Sequence, residues 1–178
     1  MARFVAMLRG VNVGARNKVK MVDLEACFGT IGHTAVSTYI QSGNVVFTSR
    51  AKSSAALARG IAEGIGRELR LDVGVLVRSR DELAAVARAN PFLRTRADPK
   101  FLHVTFLAEQ PAAELATAVE SFDGGRDELR VDGREVYLHC PGGYGETKLN
   151  NGFLERKLRV VATTRNWNTV TKLLELAS

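Results

Sequence analysis

The stretch RFVAMLR at residues 3–9 is a short, almost continuous apolar run that stops at Gly10. Such a run is typical of a central strand that is covered on both faces. A second strand-like run, FLHVTFL at residues 101–107, opens the other half of the chain. Each run begins the same predicted order of strand, helix, strand, strand, helix, strand, which is the split βαβ arrangement. The sequence therefore predicts an α+β protein of two ferredoxin-like (βαββαβ) units, antiparallel sheets with helices packed on them.

Apolar periodicity and turn signals place the other elements. Met21, Leu24, Phe28 and Ile31 follow helical spacing, and Gly32 comes next as a stop signal. The first half is further predicted to hold strands at 36–41 and 45–48, a helix at 53–71 and a strand at 73–77. A further helix at 81–89 precedes the second half, which is predicted to hold helices at 111–121, 148–158 and 168–177, and strands at 128–131, 135–139 and 160–162.

The proline pattern predicts where the two lobes divide. Residues 90–100, NPFLRTRADPK, contain two prolines, and the residue before a proline is pushed away from the helical region. We expect an N-terminal lobe at 1–89, a linker at 90–100 and a C-terminal lobe at 101–178 with an extra helix. The two halves share a pattern and no evident sequence identity, so the duplication is predicted from the pattern alone.

Composition excludes several classes of protein. The chain has 178 residues, of which 46% are hydrophobic and 25% charged, so disorder and a disulfide-built miniprotein are excluded. Two cysteines without C-x-x-C spacing indicate a reducing compartment, and we expect a cytoplasmic protein. No apolar run approaches the ~20 residues of a membrane span, and we expect no signal peptide, because residues 1–4 continue directly into strand-like sequence. We therefore expect no membrane partner.

Positive charge is concentrated in the first half of the chain. Residues 1–90 hold 13 Lys and Arg against 7 Asp and Glu, whereas residues 91–178 hold 12 of each. Five cations precede the first acid, Asp23, so a local positive field is expected near the first loop. An anionic partner explains this distribution, and an Arg-rich proteome with an ordinary charged surface explains it equally well.

Four polar segments are candidate sites. The loop RGVNVGARNKVK at 9–20 combines glycines, asparagines and cations just before a predicted helix, where backbone amides favour anions. Its spacing matches neither the dinucleotide-binding fingerprint nor the Walker loop. The hairpin tip at 38–44, TYIQSGN, offers amides and hydroxyls for a ligand. Each of these segments can also be read as ordinary turn chemistry.

The other two segments lie in the second half. The glycine-rich loop PGGYGETK at 141–148 is predicted to place Lys148 in the first turn of a helix, where a cation is unfavourable unless an anion is bound. The segment TTRNWNT at 163–169 offers a guanidinium at Arg165 and a stacking surface at Trp167. A core position for Trp167 and a plain capped helix after the glycine loop are the alternatives.

Few residues of the sequence indicate metal binding or nucleophilic catalysis. The three histidines occur singly, with no His or Cys three or four residues away. Cys140, beside the glycine-rich loop, is the one conceivable nucleophile. We expect neither a metal centre nor a cofactor.

At these segments the chain resembles the bacterial family of unknown function DUF1697. The matching stretches are LRGVNVG at 8–14 with Asn17, Lys18 and Met21, TYIQSGNVVF at 38–47, Gly145 with Lys148 and Leu149, and ATTRNWNT at 162–169. The resemblance implies a duplicated ferredoxin-like α+β arrangement and carries over no activity. Ala15, Glu146 and Thr147 depart from the family's pattern.

The leading hypothesis is that the four segments meet in one basic groove between the lobes and bind a phosphate-bearing ligand, a nucleotide or nucleic acid. A metal-independent enzyme acting on a phosphorylated metabolite, with Lys18 or Lys148 as the electrostatic catalyst, is one alternative. A self-associating interaction protein, hence a homo-oligomer, is another. The predicted anion-binding residues are Arg9, Asn12, Gly14, Asn17, Lys18, Gln41, Asn44, Tyr144, Lys148, Arg165, Asn166 and Trp167.

Overall fold

A computed structural model describes all residues from 1 to 178. The chain forms two compact units, the first made of Met1–Ala84 with Lys172–Ser178 and the second of Ala85–Thr171. The proposed division at 1–89, 90–100 and 101–178 stays a prediction. Short 3-10 helices occupy Pro91–Thr95 and Pro99–Phe101 within the stretch expected to be a linker.

The first unit contains one βαββαβ arrangement. Its elements are β1 (Ala2–Leu8), α1 (Met21–Thr30), β2 (Thr34–Tyr39), β3 (Asn44–Ser49), α2 (Ser54–Leu69) and β4 (Val75–Ser79), followed by α3 (Arg80–Ala89), which extends into the second unit. All strand pairs are antiparallel, and the strand order is β2-β3-β1-β4. This is the ferredoxin-like order predicted from the sequence.

The second unit repeats the same topology. Its elements are β5 (Leu102–Leu107), α4 (Ala113–Glu120), β6 (Glu128–Asp132), β7 (Glu135–His139), α5 (Asn151–Leu158), β8 (Ala162–Asn166) and the start of α6 (Trp167–Ala177). The strand order is β6-β7-β5-β8, again antiparallel throughout. The α+β fold class with two four-stranded sheets is thus confirmed.

Alternation along the strands builds the core of the first unit. Phe4, Ala6 and Leu8 share one face of β1 because successive strand side chains point to opposite faces. They belong to one buried cluster with Phe28 of α1 and Ile61 of α2. Full burial of one such large side chain is worth about 1.5–3 kcal/mol. The helices therefore stay on the sheet through their apolar faces, as the 3.6-residue period predicts.

Two elements of the second half differ from their predicted bounds. Helix α5 begins at Asn151, and the Oδ1 atom of Asn150 caps it by accepting the Phe153 N–H at 3.0 Å. Lys148 therefore precedes the helix, and the argument from a misplaced first-turn cation was wrong. The last strand, predicted at 160–162, lies at Ala162–Asn166 and contains residues 163–166 of the fourth polar segment.

Side-chain contacts also fix the ends of helices in the first unit. Ser79 and Glu82 form a reciprocal capping box at the start of α3, with each side chain accepting the other residue's N–H at 3.1 and 2.7 Å. Arg3 on β1 donates to the Leu176 carbonyl at 2.9 Å. The C-terminal end of α6 is thereby attached to the first unit.

Candidate functional site

The basic loop between β1 and α1 adopts left-handed backbone at four positions. Gly10, Asn12, Gly14 and Asn17 have φ values of 69°, 55°, 62° and 50°. Glycine and asparagine are the residues that adopt this region at least cost, which accounts for their presence here. The Asn12 N–H donates to the Asn17 carbonyl at 3.1 Å, and Asn17 Nδ2 donates to the Gly10 carbonyl at 3.3 Å. The loop is thus closed by its own asparagines.

Asn12 also attaches the loop to two other segments. Its Nδ2 donates to the Val19 carbonyl at 2.9 Å, and its Oδ1 accepts the Val19 N–H at 3.0 Å. The same Nδ2 donates to the Gln41 carbonyl at 2.9 Å. Asn12 therefore holds the basic segment that precedes α1 and the tip of the β2–β3 hairpin.

The hairpin tip packs closely against the end of β1. A Cβ atom on Gly43 would lie 2.5 Å from Val11 Cγ2 and 2.9 Å from Leu8 Cβ, so only glycine fits there. Asn44 is fully buried, and its Nδ2 donates to Ser42 Oγ at 2.8 Å and to the Tyr39 carbonyl at 3.1 Å. The side-chain amide of Asn44, which was predicted to contact a ligand, makes hydrogen bonds that close the hairpin tip.

A cleft opens beside the first turn of α1. Its volume is about 440 Å³, within the range of small-molecule sites. The residues that line it combine two cations, one acid and an apolar floor: Asn12, Lys18, Val19, Lys20, Asp23, Leu69 and Leu71. Lys20 occupies the N-cap position of α1, and no side chain caps this helix. Two ammonium groups and the first turn of an uncapped helix therefore lie at the same cleft.

Three cations of the loop are not neutralised by acids. Arg16, Lys18 and Lys20 are exposed and form no salt bridge within the chain. Arg9 is half-buried at the end of β1, where its N–H donates to the Gly74 carbonyl at 2.8 Å. A positive field beside the cleft follows, as the charge distribution predicted.

In the second unit, the structure brings Tyr144 and Asn166 together around His103. The Tyr144 ring stacks on the His103 ring with centroids 4.8 Å apart, and its hydroxyl accepts the Asn151 N–H at 2.8 Å. Asn166 Nδ2 lies 3.4 Å from His103 Nε2. Burial raises the pKa of Tyr144 and lowers that of His103. At neutral pH the cluster is therefore uncharged, with stacking and amide contacts.

Arg165 lies inside a strand and not in a loop. It is 8% exposed, and its Nη1 donates to Thr163 Oγ1 at 2.7 Å and to the Thr164 carbonyl at 3.0 Å. Burial lowers the pKa of Arg165 to about 10. The guanidinium remains charged at neutral pH, and both of these hydrogen bonds go to residues of β8.

Trp167 and Lys148 have opposite environments. Trp167 is 5% exposed, in accord with the core alternative. Lys148 is exposed and follows Thr147, whose hydroxyl donates to Asp127 at 2.6 Å and accepts the Leu149 N–H at 3.0 Å. Thr147 orders the loop, and Asn150 caps the helix that follows it.

Within each unit the structure brings some of the predicted residues together. Asn12, Asn17 and Lys18 lie around the basic loop, with Gln41 joined to it through its carbonyl, and Tyr144 and Asn166 lie around His103. The meeting of all four segments in one groove stays a prediction, as do the ligand-binding roles of the twelve residues. Sequence reasoning did not assign Asp23, Leu69, Leu71 or His103 to a site, because nothing in the local pattern separates a cleft or cluster residue from an ordinary one.

Nucleophilic chemistry at Cys140 is not supported. The thiol is fully buried, and burial raises the pKa of Cys140 to about 11, so little thiolate exists at neutral pH. No group of three or more His, Cys, Asp or Glu side chains in residues 1–178 is arranged to hold a metal ion. None of the helices combines the length and the apolar character that crossing a membrane requires.

The two sheets and their helices define an α+β protein built from two ferredoxin-like units. The family model described as "Protein of unknown function (DUF1697)" matches residues 1–137, and the chain belongs to this family. The conserved bacterial protein SP0830 from Streptococcus pneumoniae has a similar solved structure, with a TM-score of 0.79 and 24% identity over 99% of each chain. That likeness is one of fold. No curated protein matches the chain.

Proposed function

We propose that this protein binds a phosphate-bearing ligand, a nucleotide or nucleic acid, in the cleft beside α1. The observation that carries the proposal is the uncapped start of α1 next to Lys18 and Lys20, both of which line the cleft. Cations at the N-terminus of a helix oppose its dipole and cost stability, whereas a bound anion satisfies both the dipole and the lysines. Asp23 in the first turn offsets part of this cost in the empty protein, and a bound anion would offset more of it.

The strength of this interaction can be bounded. Hydrogen bonds to charged groups contribute roughly 1.5–3 kcal/mol each, so each lysine is expected to change the dissociation constant by about tenfold or more. The half-buried Asn12 side chain holds Val19, which lies between the two lysines in the chain. A segment that is ordered before binding loses less conformational entropy when the ligand arrives.

Isothermal titration calorimetry with inorganic phosphate, adenosine 5′-monophosphate and a short single-stranded oligonucleotide tests the proposal. The dissociation constant of a bound probe should be roughly a hundredfold higher for the Lys18→Ala/Lys20→Ala variant than for the native protein. Lys52→Ala is the matched control, because Lys52 is an exposed lysine of the same unit that does not line the cleft. Absence of binding by all three probes, or equal binding by both variants, would overturn the proposal.

Salt dependence separates the two ligand classes. The association constant of a single-stranded nucleic acid falls with salt with a slope of about −0.7 for every phosphate contacted, whereas a ligand with one phosphate shows a shallow slope. A cytoplasmic location, self-association and catalysis on a phosphorylated metabolite stay predictions.

A further inference from the structure

The cleft beside α1 offers three kinds of surface. Lys18 and Lys20 supply positive charge, and Asp23 supplies one carboxylate. Val19, Leu69 and Leu71 supply an apolar floor, with Leu69 ending α2 and Leu71 lying two residues beyond it. A phosphate group alone would use the first surface and leave the other two without a partner.

The apolar floor of the cleft would be covered best by a ligand that has an apolar part. Leu69 and Leu71 are half-buried, so part of each side chain packs on the core and part remains accessible at the cleft. Covering accessible apolar area is worth about 25 cal/mol per Å². A flat heterocycle can cover these side chains, whereas inorganic phosphate and a bare sugar phosphate cannot.

Asp23 calls for a hydrogen-bond donor on the ligand. Its carboxylate is exposed and makes no hydrogen bond or salt bridge within the chain. A carboxylate near a phosphate is repulsive unless a donor group occupies it, and ionised carboxylates act only as acceptors. The hydroxyl groups of a ribose supply such donors.

We infer that the cleft takes a nucleoside monophosphate. In this arrangement Lys18 and Lys20 hold the phosphate, Leu69 and Leu71 support the base, and Asp23 accepts hydrogen bonds from the ribose. The volume of about 440 Å³ suits one nucleotide. This inference rests on the proposed function and narrows its ligand from any phosphate-bearing compound to a mononucleotide.

Calorimetry with four probes on the full chain tests the inference: adenosine and uridine 5′-monophosphates, ribose 5-phosphate and inorganic phosphate. At least one nucleotide should bind about tenfold or more tightly than ribose 5-phosphate, and ribose 5-phosphate should bind more tightly than inorganic phosphate. Leu71→Ala should reduce nucleotide affinity severalfold and leave phosphate affinity unchanged. The unchanged phosphate affinity also shows that the variant is folded.

Asp23→Asn tests the role of the carboxylate. Removing its negative charge relieves the repulsion of either phosphate but weakens the acceptor for ribose hydroxyls, so the ratio of nucleotide affinity to inorganic-phosphate affinity should fall severalfold. Glu63→Gln is the control, because Glu63 is an exposed acid of α2 that does not line the cleft. It should change neither affinity by more than about twofold.

The outcomes distinguish the two proposals. If all four probes bind equally and depend on the lysines, the proposed function stands and the mononucleotide inference fails. If an oligonucleotide binds more tightly than either mononucleotide and with a steep salt slope, the inference also fails. If no probe binds, both fail.

Discussion

Asn12 and Val19 are joined by two hydrogen bonds that run in opposite directions, from Asn12 Nδ2 to the Val19 carbonyl at 2.9 Å and from the Val19 N–H to Asn12 Oδ1 at 3.0 Å. The side-chain amide thus pairs with the backbone as a neighbouring strand would. Because Val19 lies between Lys18 and Lys20 in the chain, this pairing orders the part of the loop that carries both cations. The geometry of the cleft therefore depends on an asparagine that lies seven residues earlier.

Substitution of Asn12 tests this pairing. Asn12→Gly keeps the left-handed backbone and removes the amide, so the free energy of unfolding should fall by about 1–3 kcal/mol. Asn12→Ala should lower the free energy of unfolding by about 1 kcal/mol more than Asn12→Gly does, because the φ of 55° is unfavourable for alanine. Urea denaturation measures both. Native stability in Asn12→Gly would show that these hydrogen bonds contribute nothing.

Ile40 has a left-handed backbone conformation that is unfavourable for isoleucine. This β-branched residue has a φ of 50° and is 50% exposed at the hairpin tip. Ile40→Asn should therefore raise the free energy of unfolding by about 0.5–1 kcal/mol, since asparagine tolerates left-handed backbone. Val22→Asn is the control, because Val22 is an exposed apolar residue within helix α1. A free energy of unfolding lower for Ile40→Asn than for the native protein would contradict this prediction.

Two histidines should make stability depend on pH. Burial lowers the pKa of His33 and of His103 below their usual value of 6.5. The folded state then favours the neutral imidazoles, so their contribution is fully present above about pH 6.5 and is lost as the pH falls toward the folded pKa values. Denaturation between pH 7.5 and 5 should show this decline. The His33→Gln/His103→Gln variant should have a flatter profile, and an unchanged slope would refute the assignment.

Neither cysteine should react in the native protein. Cys27 and Cys140 are buried, and burial raises the pKa of both thiols. A chromogenic disulfide reagent at pH 8 should therefore modify neither thiol rapidly in the folded chain and both in denaturant. Rapid native labelling of the Cys27→Ser variant would show that Cys140 is accessible and restore it as a candidate nucleophile.

Periodicity and turn chemistry predicted most of the fold. The apolar run of β1 is a local signal, and so is the hairpin-turn dipeptide Asp132-Gly133 in the sequence between the strands predicted at 128–131 and 135–139. The structure has the corresponding strands. The last strand was predicted at 160–162 and lies at Ala162–Asn166, because the sequence of β8, ATTRN, is mostly polar and the apolar run stops at its first residue. Those polar side chains are satisfied by contacts that sequence does not reveal, such as the 2.8 Å hydrogen bond between Thr105 and Thr164.

Only the local part of the candidate site could be predicted from the sequence. The basic loop was identified by its glycines, asparagines and cations, all of which lie within twelve residues. The floor of the cleft comes from Leu69 and Leu71, about fifty residues further along the chain. Their periodicity indicated only a helix face in the core. Long-range packing alone decides that part of each side chain remains accessible beside Lys18.

Backbone amide chemical shifts of the isotope-labelled chain, followed while adenosine 5′-monophosphate is added, show whether a nucleotide binds in the cleft beside α1. We expect saturable shifts at residues 18–24 and 69–71, little change around Lys52, and loss of these shifts in the Lys18→Ala/Lys20→Ala variant. Shifts confined to other parts of the chain, or no shifts at millimolar nucleotide, would contradict binding at this cleft.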